Sequence, residues 1–307
     1  MEQQTRGWGY FMLEERNQYP TYEEILSESE TLAKKYPECV IFRIIGQSHD
    51  DRLIPMIRIG TGTETLICTA GIHGRESVNP VLLLKIAEIY CHAYRYKDYV
   101  EGYSVYDLLN QYSICMIPLG YPFGYDIALR GYGAIHNPML RHMCKMKAIP
   151  AKEWKFNARA VDLNRNFPSK TYIQQQFYEY PASENETQAV MRIFQEYESI
   201  AYVDFHSRGK IIYYYRHTMS WRYNQNSHKL AKGLQKLSDY ELAKKNEEIS
   251  TGMSGGHSVH YYSEYTGRPA LTIETVADEA EFPLDYRYLH ETLEEIKSIP
   301  LGILKMA

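Results

Sequence analysis

Two imidazoles and a carboxylate stand where a metal site could form. His73-Gly74-Arg75-Glu76 follows the apolar run 65–71 and precedes a helical pattern that begins near Pro80. Ligands three apart at a strand end can converge on one ion, the imidazole giving a nitrogen and the carboxylate one or two oxygens. A catalytic site needs a third protein ligand and a position left open to water. His206 fits, because it also ends an apolar run, Ile200-Ala-Tyr-Val-Asp-Phe-His206. In open α/β sheets, ligands gather beyond the carboxyl ends of the strands. The spacing alone is weak: 11 His and 38 acids in 307 positions give about 1.4 His-x-x-acid pairs by chance. Rivals are His257-x-x-His260, His260-x-x-x-Glu264 and His290-x-x-x-Glu294, the last a solvated helix face. A fourth candidate is Glu274 in Leu-Thr-Ile-Glu-Thr-Val, an acid whose burial is costly unless it is paired or functional.

The elements that must position these residues follow from periodicity. Strands are predicted over 40–46, 53–60, 65–71, 112–118, 200–205, 210–215 and 269–276, and helices over 21–35, 80–94, 184–197, 221–237 and 283–298. Pro80 suits a first helical turn, and Ser183-x-x-Glu186 has the form of a capping box. Strands as apolar as LICTAGI and ALTIETV want cover on both faces, which interleaved helices supply. The expectation is therefore an α/β layered domain with a mixed, mostly parallel sheet. The stretch 121–157, rich in Gly, Pro and Met with little periodicity, reads as a long ordered loop that shapes a site. With no repeat and no low-complexity linker, a single domain over 1–307 with an N-terminal extension at 1–20 is expected.

Composition narrows the function classes. Net charge is −4 with 34 basic and 38 acidic residues, so neither a nucleic-acid-binding surface nor an acidic tail is indicated. Five scattered cysteines without a C-x-x-C argue against a disulfide framework and against a cysteine-rich zinc knot. No stretch approaches 18 apolar residues and the N-terminus has no signal-peptide pattern. No membrane span is expected, and a cytoplasmic or spore-associated location is favoured over secretion. The 29 tyrosines suit peptide- or sugar-lined clefts, but equally half-buried strands.

From about residue 21 to 297 the chain resembles the zinc carboxypeptidase family. The resemblance is carried by IGQSHDDRLIPMIRIG (45–60), ICTAGIHGRESVNPVLLLKIAE (67–88), WKFNARAVDLNRNFP (154–168), SENETQAV (183–190), YVDFHSRGKIIYYY (202–215) and SGGHSVHYYSEYTGRPALTIET (254–275). Within the family, the WKxNARxVDLNRNFP and FHSxGxxIYYY forms look most like the branch that cleaves γ-D-glutamyl bonds to a diamino acid in peptidoglycan stem peptides. The resemblance implies a three-layer αβα sandwich about a central mixed, mostly parallel eight-stranded sheet. It implies one zinc ion on His73, Glu76 and His206, with Asp162 accepting the other ring N–H of His73. It implies that Asn164 and Arg165 clamp a substrate carboxylate beside the scissile bond, with Arg75 lining the same end. Glu274 becomes the general base, and the side-chain pocket falls near His257, Ser258 and Val259.

Three departures from the family pattern matter. Thr251 stands where the family has a tyrosine, so Tyr240, Tyr261 or Tyr262 must substitute or the hydrogen bond is lost. The usual Asn-Pro-Asp-Gly turn is Tyr121-Pro122-Phe123-Gly124. Lys155 occupies the spacing of the oxyanion-stabilising arginine, with Arg159 four residues on; Arg159 is the expected group. The reaction implied is metal-assisted amide hydrolysis of a peptide or peptidoglycan fragment, with a γ-D-glutamyl to diaminopimelate bond the leading candidate. A carboxypeptidase of ordinary peptides is the alternative, and a catalytically silent cell-wall-peptide binding module a third reading.

Overall fold

A computed structural model describes residues 18–248 and 255–307. The strands of the main sheet are β1 (Val40–Gln47), β2 (Leu53–Ile59), β3 (Glu64–Ala70), β4 (Tyr112–Ile117), β5 (Ser199–Ser207), β6 (Ile211–Tyr213), β7 (Glu241–Leu242) and β8 (Ala270–Thr275). They form one eight-stranded sheet in the order β1-β2-β4-β3-β5-β8-β6-β7. The pairings β4–β3, β3–β5, β5–β8 and β6–β7 are parallel, while β1–β2, β2–β4 and β8–β6 are antiparallel. The central strands β3 and β5 are buried along nearly their whole length, which explains why apolar residues fill adjacent positions, as in Leu66-Ile67-Cys68 and Ile200-Ala201-Tyr202-Val203, rather than alternate ones.

The described helices of seven residues or more are α1 (Tyr22–Lys35), α2 (Val78–Tyr96), α3 (Val105–Gln111), α4 (Pro122–Arg130), α5 (Pro138–Met146), α6 (Asn185–Glu196), α7 (Trp221–Ser238), α8 (Ser258–Thr266), α9 (Tyr288–Ile296) and α10 (Ile299–Met306). Alternation along the strands divides the core in two. Leu66, Cys68 and Ala70 face the core built with α1, α2, α3, α7, α9 and α10, whereas Ile67 faces the core built with α6 and α8. The three-layer αβα sandwich with a mixed eight-stranded sheet is therefore present.

Several expectations need correction. The 121–157 stretch is not a bare loop: it holds α4 and α5, packed around Phe123, Ile127, Ile135, Cys144 and Trp154. Its helices are short, and Asn137 caps α5 by accepting from the Met139 and Leu140 N–H groups, so a longer helical period never develops. The predicted helix over 283–298 starts later, at Tyr288, and α10 follows it directly. The capping box at Ser183 does not form. Glu184 is the N-cap of α6 without a side-chain cap, and the Ser183 hydroxyl donates to Glu184 Oε1 at 2.6 Å. The equivalent box on α1 does form, between Thr21 and Glu24. Helices α3 and α8 carried no sequence signal strong enough to predict them.

Candidate metal centre and active site

The central parallel strands deliver three of the site's side chains to one edge. His73 lies just beyond β3, His206 near the end of β5, and Glu274 near the end of β8, where it is paired in register with His206. Glu76 enters the same space from the turn leading into α2, its N–H bonded to the His73 carbonyl at 3.2 Å. That turn has no room for a side chain at Gly74: a Cβ there would lie 2.1 Å from the Gly124 backbone. The Tyr121-Pro122-Phe123-Gly124 turn thus packs backbone to backbone against the His73 loop. At the far side of the cluster, Asn79 of α2 donates to Ser207 at 3.0 Å and accepts from Thr275 at 2.7 Å. This polar link holds the ends of β5 and β8 to the helix that follows Glu76.

The two histidines are wired alike. His73 Nδ1 is 2.7 Å from Glu76 Oε1 and His206 Nδ1 is 3.2 Å from Glu76 Oε2. The opposite ring nitrogens face aspartates: His73 Nε2 is 3.4 Å from Asp162 Oδ1, and His206 Nε2 is 3.1 Å from Asp204 Oδ2. Asp204 is in turn fixed by Ser258 Oγ and Thr69 Oγ1, each donating at 2.6 Å. Burial would lower both imidazole pKa values, yet the carboxylates hold His73 above and His206 well above the ordinary value. Burial likewise opposes ionisation of Glu76, but His73 and His206 pull it down to about 2. Burial and the Glu76 carboxylate push Glu274 up to about 7 against the pull of His206.

A cavity of about 240 Å³ opens over this cluster, lined by His73, His206, Glu274, Asn164, Arg165 and, on its far wall, Tyr213, Arg216, Glu247, Glu248, His257 and His260. Asn164 and Arg165 stand on a single helical turn, Leu163–Arg165, whose N-cap is Asp162. One Asp162 carboxylate therefore orients both His73 and the segment that carries Arg165. Gly256, at φ +81°, packs so closely on that segment that a Cβ would come 2.3 Å from the Arg165 carbonyl oxygen. Arg216 is 1% exposed and paired with Glu248, with a further hydrogen bond to the Ala270 carbonyl at 2.9 Å.

Other predicted residues go elsewhere. Arg159 does not join the cluster: it pairs with Glu184 at 3.0 Å. Lys155, its competitor, lies 2.6 Å from Asp162 Oδ2 and so one residue removed from His73. Arg75 turns from the cavity to Glu153, at 3.0 Å, and to the Phe282 ring, beside a separate cavity. Ser258 is buried beneath the site rather than lining it, its hydroxyl spent on Asp204 and its N–H on Asn164 Oδ1 at 3.2 Å. Thr251 lies outside the described residues. The tyrosines weighed as its substitute are committed elsewhere: Tyr240 to Glu295 and Tyr262 to Ser199, both at 2.7 Å, and Tyr261 to Gln195 at 3.4 Å. Tyr213, which sequence reasoning missed, lines the cavity instead. Its signal was its place in the YYY run on a strand beside Glu274's own.

The zinc carboxypeptidase family model matches residues 25–298, nearly the whole chain. The chain belongs to the zinc carboxypeptidase family. Among curated relatives, the gamma-D-glutamyl-L-diamino acid endopeptidase 1 of Lysinibacillus sphaericus is 25% identical over 188 residues, covering 55% of this chain and 46% of the relative. The human mast cell carboxypeptidase A is 26% identical over 211 residues, covering 63% of this chain and 46% of the relative. The chain thus spans about half the length of these curated relatives. Among solved structures, bovine thrombin-activatable fibrinolysis inhibitor, in complex with a tick carboxypeptidase inhibitor, superposes with a TM-score of 0.75 at 20% identity. That match covers 94% of this chain and 97% of the bovine chain, and it shows a shared fold.

The family's cofactor is one zinc ion, and the donors brought together here fit it. Among the described residues, the ligand atoms of His73, Glu76 and His206 lie within 4.8 Å of one another. Glu76 Oε2 is buried with no aligned hydrogen-bond donor. Two imidazoles of raised proton affinity, surrounded by three carboxylates, form a place where a divalent cation can replace protons. Two nitrogens and a carboxylate, each imidazole braced by an aspartate, are a donor set suited to zinc with a position left open.

Proposed function

We propose that this chain is a zinc-dependent metallopeptidase that hydrolyses the γ-D-glutamyl to diamino-acid bond of peptidoglycan stem peptides. The observation that carries the reading is the charge pattern of the cavity. Beside the metal ligands and Glu274 it presents Arg165, for a carboxylate next to the scissile bond, and deeper in it both signs, Arg216 with Glu247 and Glu248. A side chain bearing an ammonium and a carboxylate, such as that of diaminopimelate, would meet Glu247 with the first and the Nε of Arg216 with the second. That nitrogen has no partner among the described residues, whereas the other two of Arg216 are paired with Glu248 and the Tyr215 and Ala270 carbonyls. A large aromatic side chain finds little apolar wall. The similarity to the Lysinibacillus endopeptidase supports the same substrate class.

His73, Glu76 and His206 would hold the zinc ion, which would supply Lewis acidity and lower the pKa of water toward ~7. Glu274 takes the proton of the attacking water and returns it to the leaving amine. Asp162 and Asp204 keep each imidazole's Nδ1 turned to the ligand cluster. Arg165 and Asn164 hold the substrate carboxylate, so cleavage occurs next to a charged residue. Of the two cations weighed for the oxyanion, Lys155 is favoured by its place beside Asp162 and His73.

Cleavage of ordinary C-terminal residues is the second reading, favoured by Arg165 alone, since a free peptide carboxylate would satisfy it equally. Hydrolysis of L-Ala-γ-D-Glu-meso-diaminopimelate against a standard C-terminal dipeptide separates them. The proposal expects kcat/KM at least tenfold higher for the cell-wall peptide; a preference for the dipeptide overturns it.

A further inference from the structure

A second group of metal-ligating side chains lies apart from the cavity just described. His49 sits in the turn between β1 and β2, and Glu184 and Glu186 flank the start of α6. Their donor atoms lie within 4.8 Å of one another. Glu184 is fully buried and Glu186 is 1% exposed. Glu184 is well supplied with partners: Arg159 at 3.0 Å, Ser183 at 2.6 Å, Asn157 at 2.7 Å and His49 Nε2 at 3.2 Å. Glu186 is not. Its Oε1 accepts the His49 backbone N–H at a long 3.4 Å, and its Oε2 has no hydrogen-bond partner among the described residues.

The charge around this group does not balance. Glu179, 3% exposed and likewise unpartnered among the described residues, adds a third carboxylate close enough to Glu184 for the two to repel. Three buried acids face one guanidinium, that of Arg159, and one imidazole, that of His49. Buried carboxylates demand neutralisation, by protons or by a cation. A route in exists as well. His49 lines a cavity of about 410 Å³ whose wall also carries Glu23 and Asp51, together with Asp50 paired to Arg52 at 3.2 Å, so that the approach holds more carboxylates than permanent cations.

We propose that His49, Glu184 and Glu186 hold a second divalent metal ion. The donor set of one imidazole and two carboxylates selects a zinc- or manganese-like ion over calcium or magnesium, which prefer all-oxygen shells. The role assigned is positioning. Arg159 and Asn157, both bonded to Glu184, belong to the segment that runs on to Asp162, Asn164 and Arg165. An ion at Glu184 and Glu186 would fix the base of the segment that orients His73 and clamps the substrate.

The probe is zinc itself. The chelator-stripped chain is dialysed against zinc buffered at nanomolar free concentration, and bound metal is measured by mass spectrometry. Wild type should hold two equivalents, Glu186→Gln one, His73→Ala one, and the double variant none. A single equivalent in wild type and in Glu186→Gln alike overturns the proposal, and leaves protons as the neutralising charge. Should Glu186→Gln fail to fold, His49→Asn serves, because its side chain is 23% exposed at the cavity wall. As a second reading, zinc should raise the melting temperature of His73→Ala by several degrees and leave His73→Ala/His49→Asn unmoved. Equal shifts in both overturn the site. None of these measurements depends on peptidase activity.

Discussion

Glu274 and His206 are partners in register on adjacent parallel strands, so their side chains rise from the same face of the sheet at the same height. An acid and a candidate metal-ligating imidazole are thereby fixed relative to each other by backbone hydrogen bonds rather than by loops. Such placement is what a base must have to meet a water at a metal.

This pairing leads to the first prediction. Glu274→Gln preserves shape and the ligand set while removing the proton acceptor. Bound zinc should stay at the wild-type level while kcat/KM falls about 10²- to 10⁴-fold. Retention of more than a tenth of the wild-type rate would show that another group takes the proton.

Asp204 and Asp162 brace the two imidazoles. Asp204→Asn and Asp162→Asn should each weaken zinc binding about 10- to 100-fold, measured by competition with a chromogenic chelator. Asp162→Asn should in addition raise KM, because the same carboxylate caps the turn that presents Arg165. Unchanged zinc affinity in both variants would remove the bracing role.

Arg165→Ala should raise KM far more for substrates with a free carboxylate next to the scissile bond than for their amides. Loss of a bidentate, charge-assisted contact is worth about 1.5–3 kcal/mol, or roughly 10- to 100-fold. An equal effect on acid and amide would take the clamp away from Arg165.

A pH dependence of stability follows from His260. It is 5% exposed, and burial with the charges of Arg216, His217 and Arg165 lowers its pKa to about 2. Unfolded, it titrates at its ordinary 6.5. Below that pH the unfolded chain binds a proton that the folded chain refuses, so stability falls as pH drops beneath 6.5. The cost is on the order of 1 kcal/mol for each unit of pH below that point. His260→Gln keeps a polar partner for Thr171, 3.1 Å away, and should lose less stability than wild type between pH 7.5 and 5.5 in denaturant melts. Equal losses would mean that His260 already carries its proton in the fold.

The parts legible in the sequence were those written in contiguous runs. His73, Glu76 and His206 could be picked out because each follows or ends an apolar strand, and the layered sheet followed from the same runs. Asp204 escaped notice because an aspartate inside Tyr-Val-Asp-Phe-His looks like a lapse in an apolar strand. Only the period of two, which puts it on the His206 face, marks its role. Arg216, Glu247, Glu248 and Tyr213 come to the cavity wall through packing between distant segments, which local spacing does not encode. Arg159 misled for a related reason: its position in the segment suited an oxyanion partner, but the buried Glu184 carboxylate claims its charge.

The link from Asn79 to Ser207 and Thr275 has a consequence for how the protein is made. Those three residues come from β5, β8 and the start of α2, the candidate ligands from the ends of β3 and β5 and the turn into α2, and with Glu274 they form the complete site only when β3, β5 and β8 lie side by side. No fragment of the chain owns the site. Such non-local pairing forms slowly because it must close long loops first. Completion of the site is therefore a late event, and a nascent or truncated chain lacking β8 would bring the candidate ligands together without Glu274.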